Sequence, residues 1–214
     1  AGTHPGASEI WYDGIDQDCD PSTEYDRDGD GYDSEDYGGE DCNDNNASVY
    51  PGLGRVLDVG PSSYTTIQSA IDAACPSDIV AINGFGTFYE SIVIDKDITV
   101  RGMPLGTRLD GSGTSRPVTM YAGSLRNIEV QNGWSNANGG CVLIEDASDV
   151  VIDVRSIHDC VTVGGSGGAI AIWNSDNVQI EPIEVYGGQS PYRGGGIYIG
   201  ASRDVTVDQA YVYQ

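Results

Sequence analysis

Asp26, Asp28 and Asp30 alternate at the start of "DRDGDGYDSEDYGGEDCNDNN" and are followed by Gly31 and Tyr32, the order of the first seven positions of a calcium loop. Alternate side chains of a tight loop converge on one side, glycine permits the sharp bend, and the next carbonyl, that of Tyr32, turns inward as a ligand. Hard carboxylate oxygens select calcium over a soft metal. A helix-loop-helix site would close with a bidentate Glu at position twelve, but Tyr37 stands there and no amphipathic helix flanks the loop. The remaining ligands must come from Asp36, Asp41 and Asp44 downstream and from Asp13, Asp16, Asp18 and Asp20 upstream. The upstream "DGIDQDCD" repeats the alternation, so more than one calcium ion sharing carboxylates is expected. The plain alternative is a solvated acidic linker that binds nothing.

The charge is uneven. The chain carries −23 overall, and residues 1–54 hold 15 acids against the single base Arg27, a net of −14. Such a field repels nucleic acid and anionic lipid and attracts divalent cations. No apolar run approaches the roughly 18 residues of a membrane span, so membrane insertion is not expected. Five cysteines cannot all pair within one chain, and none forms a Cys-x-x-Cys pair. Thirty glycines, thirteen tyrosines and a single lysine suit a turn-rich extracellular β-protein.

The run "PGASEIWYDGIDQDCD…YDRDGDGYDS…GGEDCNDNNASVYPG" resembles the metal-binding motif repeat of large secreted bacterial proteins, and more loosely thrombospondin type 3 calcium repeats, over residues 4–52. The resemblance implies calcium binding and a bacterial cell-surface or extracellular setting. The family commonly has a cysteine just before the first "DG", where this chain has Tyr12. Its usual local disulfide then gives way to Cys19 with Cys42 as the pair the resemblance implies, a bridge worth about 3 kcal/mol by chain entropy. "HPGASE" resembles the end and restart of such a repeat, which implies a chain that begins inside an array.

After Gly54 the composition changes to Val, Ile, Gly and turn residues, placing a boundary between an acidic calcium-binding module, 1–54, and a larger domain, 55–214. In "YTTIQSAIDAACPSD", Ile67, Ala70, Ile71 and Ala74 follow the helical i, i+3, i+4, i+7 pattern, with Thr65 or Thr66 as N-cap and Pro76 as the stop. Short β-branched runs follow, including "DIVAI", "ESIVI", "DITVRG", "PVTMYA" and "NIEVQN". Segments starting at Gly139, Gly167 and Gly194 align with periods of 28 and 27 residues. A unit this short cannot bury its own apolar face, so the units must stack as coils of a parallel β-solenoid with Ile and Val ladders inside. The fold expected is mainly β, a solenoid with a short N-terminal capping helix. The stretch "YTTIQSAIDAACPSDIVAINGFGTFYESIVIDKDITVRG" further resembles the start of a pectate-lyase-like right-handed parallel β-helix, a likeness spanning residues 56–214.

A lyase or hydrolase site would need carboxylates, or a base with calcium and an arginine, converging on one outer face. Asp153, Glu181 and Asp208 fall in one outward register, which suits a solvated strand face or a saccharide stripe. His158 beside Asp159 reads as a lone surface histidine, since neighbours on a strand point to opposite faces, and His4 has no partner near it in sequence. Tyr186, Tyr192, Tyr198, Trp134 and Trp173 could stack on sugars or pack beneath loops. A bridge across one coil between Cys141 and Cys160 stays open. The last segment ends without a polar cap, so the solenoid is expected to continue or to stack head to tail into a filament. These features favour a calcium-stabilised structural, adhesive or filament-forming surface protein. The alternatives are a polysaccharide lyase or glycoside hydrolase working on the solenoid face, and a non-catalytic carbohydrate-binding module.

Overall fold

The computed structural model describes residues 2–20, 24–104, 106–181 and 183–213. It is mainly β, a parallel solenoid of about six turns preceded by a small irregular segment. Each complete turn contributes one strand to each of three long sheets, which with the partial end turns reach seven, five and six strands, and every named strand pair is parallel. The seven-stranded sheet runs from Val56–Val59 to Arg203–Val207, the five-stranded from Ile92–Ile94 to Ile197–Gly200, and the six-stranded from Gly86–Phe88 to Tyr211–Tyr213.

Strand period two puts one residue in and the next out, and stacking turns the inward positions into columns. Val80, Val100, Leu125, Ile152 and Ile180 stand in register in the seven-stranded sheet, and all are buried. Ile94, Met120, Ile144 and Ile172 do the same in the five-stranded sheet, as do Leu109, Val130, Ile157 and Val185 in the six-stranded. Each fully buried side chain of this size contributes about 1.5–3 kcal/mol, and together they form one continuous core.

The polar turns between strands recur at the same period. Asp149, Asn177 and Asp204 hold left-handed φ angles of 57°, 50° and 49° one above another, and Asn177 Nδ2 donates to Asp149 Oδ1 at 2.6 Å. Asp and Asn tolerate this conformation best among residues with a side chain, and stacking lets Asn177 satisfy Asp149. Gly139, Gly167 and Gly194 begin the repeat for a steric reason. Their φ values are 69°, 74° and 61°, and a Cβ would lie 2.3, 2.2 and 2.3 Å from the carbonyl oxygens of Val142, Ile170 and Ile197.

Helix α1, Ile67–Asp72, buries Ile67, Ala70 and Ile71 at the first turns of the solenoid. Of the two expected caps Thr66 serves, its Oγ1 accepting from Ser69 N at 3.1 Å, while the Glu90 carboxylate takes the Ile67 amide at 2.9 Å. No described helix is long and apolar enough to cross a membrane.

The implied Cys19–Cys42 bridge does not form. Cys42 pairs with Cys75, 33 residues away with Cα atoms 5.3 Å apart, and Cys19 is free and exposed. Cys19 sits in a surface turn at φ 58°, its amide donating to Asp16 Oδ1. A segment without its own core gains more from a bridge to the end of α1, beside the solenoid core, than from a local one. Cys141 and Cys160 bridge across one coil.

Candidate metal centre

Among the described residues the segment before the solenoid has no strand ladder to hold it, and its backbone amides are satisfied by carboxylates as well as by backbone carbonyls. Asp26 takes Gly29 N and Asp30 N on Oδ1 and Gly31 N on Oδ2, wrapping the loop around one buried side chain. Gly29 and Gly31, at φ 78° and 97°, make that wrap sterically open. Asp44 Oδ1 accepts from Arg27 N at 2.7 Å, and Asp44 Oδ2 accepts from the Tyr12 hydroxyl at 2.5 Å. Burial and the neighbouring Asp44 charge push the Tyr12 phenol up to about 12.

Asp28, Asp41 and Asp44 each offer an oxygen within 4.8 Å of the others, and Asp26, Asp28 and Asp30 form a second such group sharing Asp28. Asp41 is 1 % exposed and Asp44 4 %. Both oxygens of Asp28, Oδ2 of Asp30 and Oδ2 of Asp41 are buried and make no hydrogen bond. Desolvation first, then the charge of neighbouring aspartates, raises the Asp28 and Asp41 carboxyls above the ordinary range. Unpaired carboxylate oxygens gathered out of water are costly unless a cation joins them. The residues therefore fit a metal, and an all-oxygen donor set fits a hard divalent ion. A cleft of about 270 Å³ lined in part by Tyr12, Arg27, Asp41 and Asp44 opens beside them.

The upstream aspartates are arranged differently. Asp16 and Asp18 meet Glu9 within 4.8 Å. Glu9 is already committed to the amides of Gln17 and Asp18, and Asp13 to the Ile15 amide and the Gln17 side chain. Asp20 joins neither group, though its amide donates to Asp18 Oδ1. Asp36 lies exposed in a single 3-10 turn, Glu35–Tyr37; it lines the same cleft as Asp41 and Asp44 but joins none of the carboxylate groups. The Tyr32 amide donates to Asp30 Oδ1, and its ring stacks on Tyr50.

Sequence reading missed Tyr12, Glu9 and Glu24. Glu24 Oε1 accepts the amides of Asp13 and Gly14 while its Oε2 is buried and unbonded. Nothing in their spacing marks Glu9 and Glu24. Tyr12 carried a signal, since it stands where the resembled repeat has a cysteine. Its ring stacks on Tyr37 at 4.5 Å while its hydroxyl holds Asp44, so a phenol joins two parts of the segment.

On the six-stranded sheet, His158 is not a lone surface residue. It is 7 % exposed, with Nδ1 2.8 Å from Asp159 Oδ2 and Nε2 3.1 Å from Glu129 Oε1. Strand alternation fails here because Asp159, at φ 54°, leaves the strand and turns its carboxylate back. Asp110, Gln131, His158, Tyr186 and Tyr213 form one outward column, and the His158, Tyr186 and Tyr213 rings stack in sequence. Despite its burial, Glu129 is held below the ordinary carboxylate range by His158 and Arg108. Beyond the expected acidic register, Arg101 and Arg126 continue the column of Asp153, and Arg126 pairs with Asp153 at 3.0 Å.

A family model described as "Putative metal-binding motif" matches residues 1–24 and 41–53. The match leaves out residues 25–40, which hold Asp26, Asp28 and Asp30. Among curated proteins and among solved structures nothing matches.

Proposed function

We propose that residues 1–54 form a calcium-binding module that stiffens one end of a solenoid serving as a structural or adhesive component of a bacterial cell surface. The carrying observation is the convergence of Asp28, Asp41 and Asp44 with buried carboxylate oxygens that no protein group satisfies. Asp30, with its buried unbonded Oδ2, joins them from the loop that Asp26 shapes, and the Tyr32 carbonyl adds a further oxygen. The Glu9, Asp16 and Asp18 group provides a second, more exposed ion site.

The name of the matching family, Cu-binding_MopE, refers to copper. Copper prefers imidazole or thiolate donors, and neither stands in the aspartate triad, which argues for calcium here. Two disulfides suit an oxidising compartment outside the cytosol. A pectate-lyase-like ancestry accounts for the solenoid, and stacking of solenoids end to end into filaments suits its parallel strands.

A polysaccharide lyase or hydrolase is the competing reading, favoured by the Glu129 and His158 group near a cleft of about 370 Å³ lined by Arg155, Ser156 and Tyr211. Glu129 held low is a poor general acid, and both His158 nitrogens already face carboxylates. These groups fasten neighbouring coils, which supports the structural reading.

Calorimetric titration of the metal-stripped protein tests the proposal. Calcium is expected to bind and to raise the melting temperature, with copper(II) failing to displace it. An unchanged melt from chelator to millimolar calcium would overturn it, and release of sugar ends from polysaccharides would favour the enzyme.

A further inference from the structure

Asp41 belongs to a second constellation whose chemistry differs from that of the aspartate triad. One of its carboxylate oxygens, Cys42 Sγ and Cys75 Sγ all lie within 4.8 Å of one another. Cys75 is wholly buried, Cys42 is partly buried, and Asp41 Oδ2 is the buried oxygen without a hydrogen-bond partner. Arg55 Nη2 reaches Cys42 Sγ at 3.8 Å and also donates to Asp78 Oδ2 at 2.5 Å.

We propose that opening the Cys42–Cys75 bridge creates a site for a thiophilic divalent metal ion, of the zinc or cadmium class, ligated by both sulfurs and the Asp41 carboxylate. The two electrons come from a reductant of the thiol or phosphine class. With a phosphine, the S–S bond breaks, phosphorus is oxidised and takes the oxygen of one water, and the two water protons end on the sulfurs. A divalent ion then displaces those two protons. With Cα atoms 5.3 Å apart, the separated sulfurs remain close enough to share one metal at bonds of about 2.3 Å.

The site goes beyond the calcium reading and does not rest on it, although Asp41 serves both. The oxidised chain presents only oxygen donors at this point, whereas the reduced chain adds two soft ones. The redox state of one bridge thus selects the class of metal.

The test uses the full chain carrying Cys19→Ser, treated with a phosphine and titrated with cobalt(II) or cadmium(II). Alkylation and mass spectrometry establish which cysteines are open. The expected result is a sulfur-to-metal charge-transfer band in the ultraviolet that saturates at one equivalent, absent before reduction. Cys42→Ser should abolish that saturable band, and Asp41→Asn should weaken binding by about tenfold or more. The reduced parent already lacks the cross-link, so it is the stability control for both variants, with circular dichroism as the folding check. No band with Cys42 and Cys75 shown open overturns the proposal, as does a band that persists in Cys42→Ser and so arises from Cys141 and Cys160. Calcium stabilisation of the oxidised chain is read separately, so either claim can fail alone.

Discussion

Aspartates here do two jobs, separated by which oxygens stay unpaired. Asp26 spends both on loop amides and shapes the backbone, whereas Asp28 spends neither and is left facing its neighbours. The same division gives two opposite pH dependences. Glu129 and Asp110 are depressed in the fold, so their contribution is present above the ordinary carboxylate range and is lost as the pH falls through their lower folded values. Asp28 and Asp41 are raised, so metal-free folding is disfavoured at neutral pH and relieved as the pH falls through their raised values. Hydrogen exchange of the metal-stripped protein should therefore show the module gaining protection as the pH falls from neutral through the raised carboxyl range, while amides around Glu129 keep theirs until the pH drops below the ordinary carboxylate range. Uniform loss across both regions would refute this assignment.

Elements of this protein are short, and none is stable alone. The repeat period and the inward Ile and Val positions were legible because burial imposes them on every coil. The His158 cluster was not, because it depends on Asp159 leaving strand geometry, and a left-handed Asp cannot be told from an extended one by its letter. Likewise the spacing of Asp26, Asp28 and Asp30 was readable, but the partners Asp41 and Asp44 come from a separate turn, and Asp36 looked equally eligible. The paired glycines that open each repeat were visible as letters, and the structure supplies their cause. Gly167→Ala should cost at least about 2 kcal/mol in chemical denaturation, combining a left-handed φ with a Cβ 2.2 Å from the Ile170 carbonyl. Gly60→Ala, which meets nothing within 4 Å, is the matched control and should be near neutral. Equal effects would show that the close approach does not govern the repeat.

The whole molecule is a stiff core with a charged module joined to its end by the chain itself and, among the described residues, by one disulfide and a few polar contacts. These include Gly52 N to Pro76 O at 3.1 Å and Lys96 to Glu35 at 3.6 Å. Removing the bond by Cys75→Ser should destabilise by about 3–4 kcal/mol by chain entropy. The loss should fall on the module and α1, leaving the distal coils unchanged in hydrogen exchange. Cooperative loss throughout the solenoid would mean that the module and the coils fold as one unit.

The position of that bond also decides how the molecule carries load. Tension applied at the N-terminal side reaches Cys42 and passes through sulfur to Cys75, four residues before the strand Ile79–Ile82. The backbone from 43 to 74, including the edge strand Val56–Val59 and helix α1, lies in a slack parallel branch. A pull that would otherwise peel the edge strand, one ladder bond at a time, is delivered instead to a strand flanked on both sides, so the first coil is mechanically shielded while the bridge is closed.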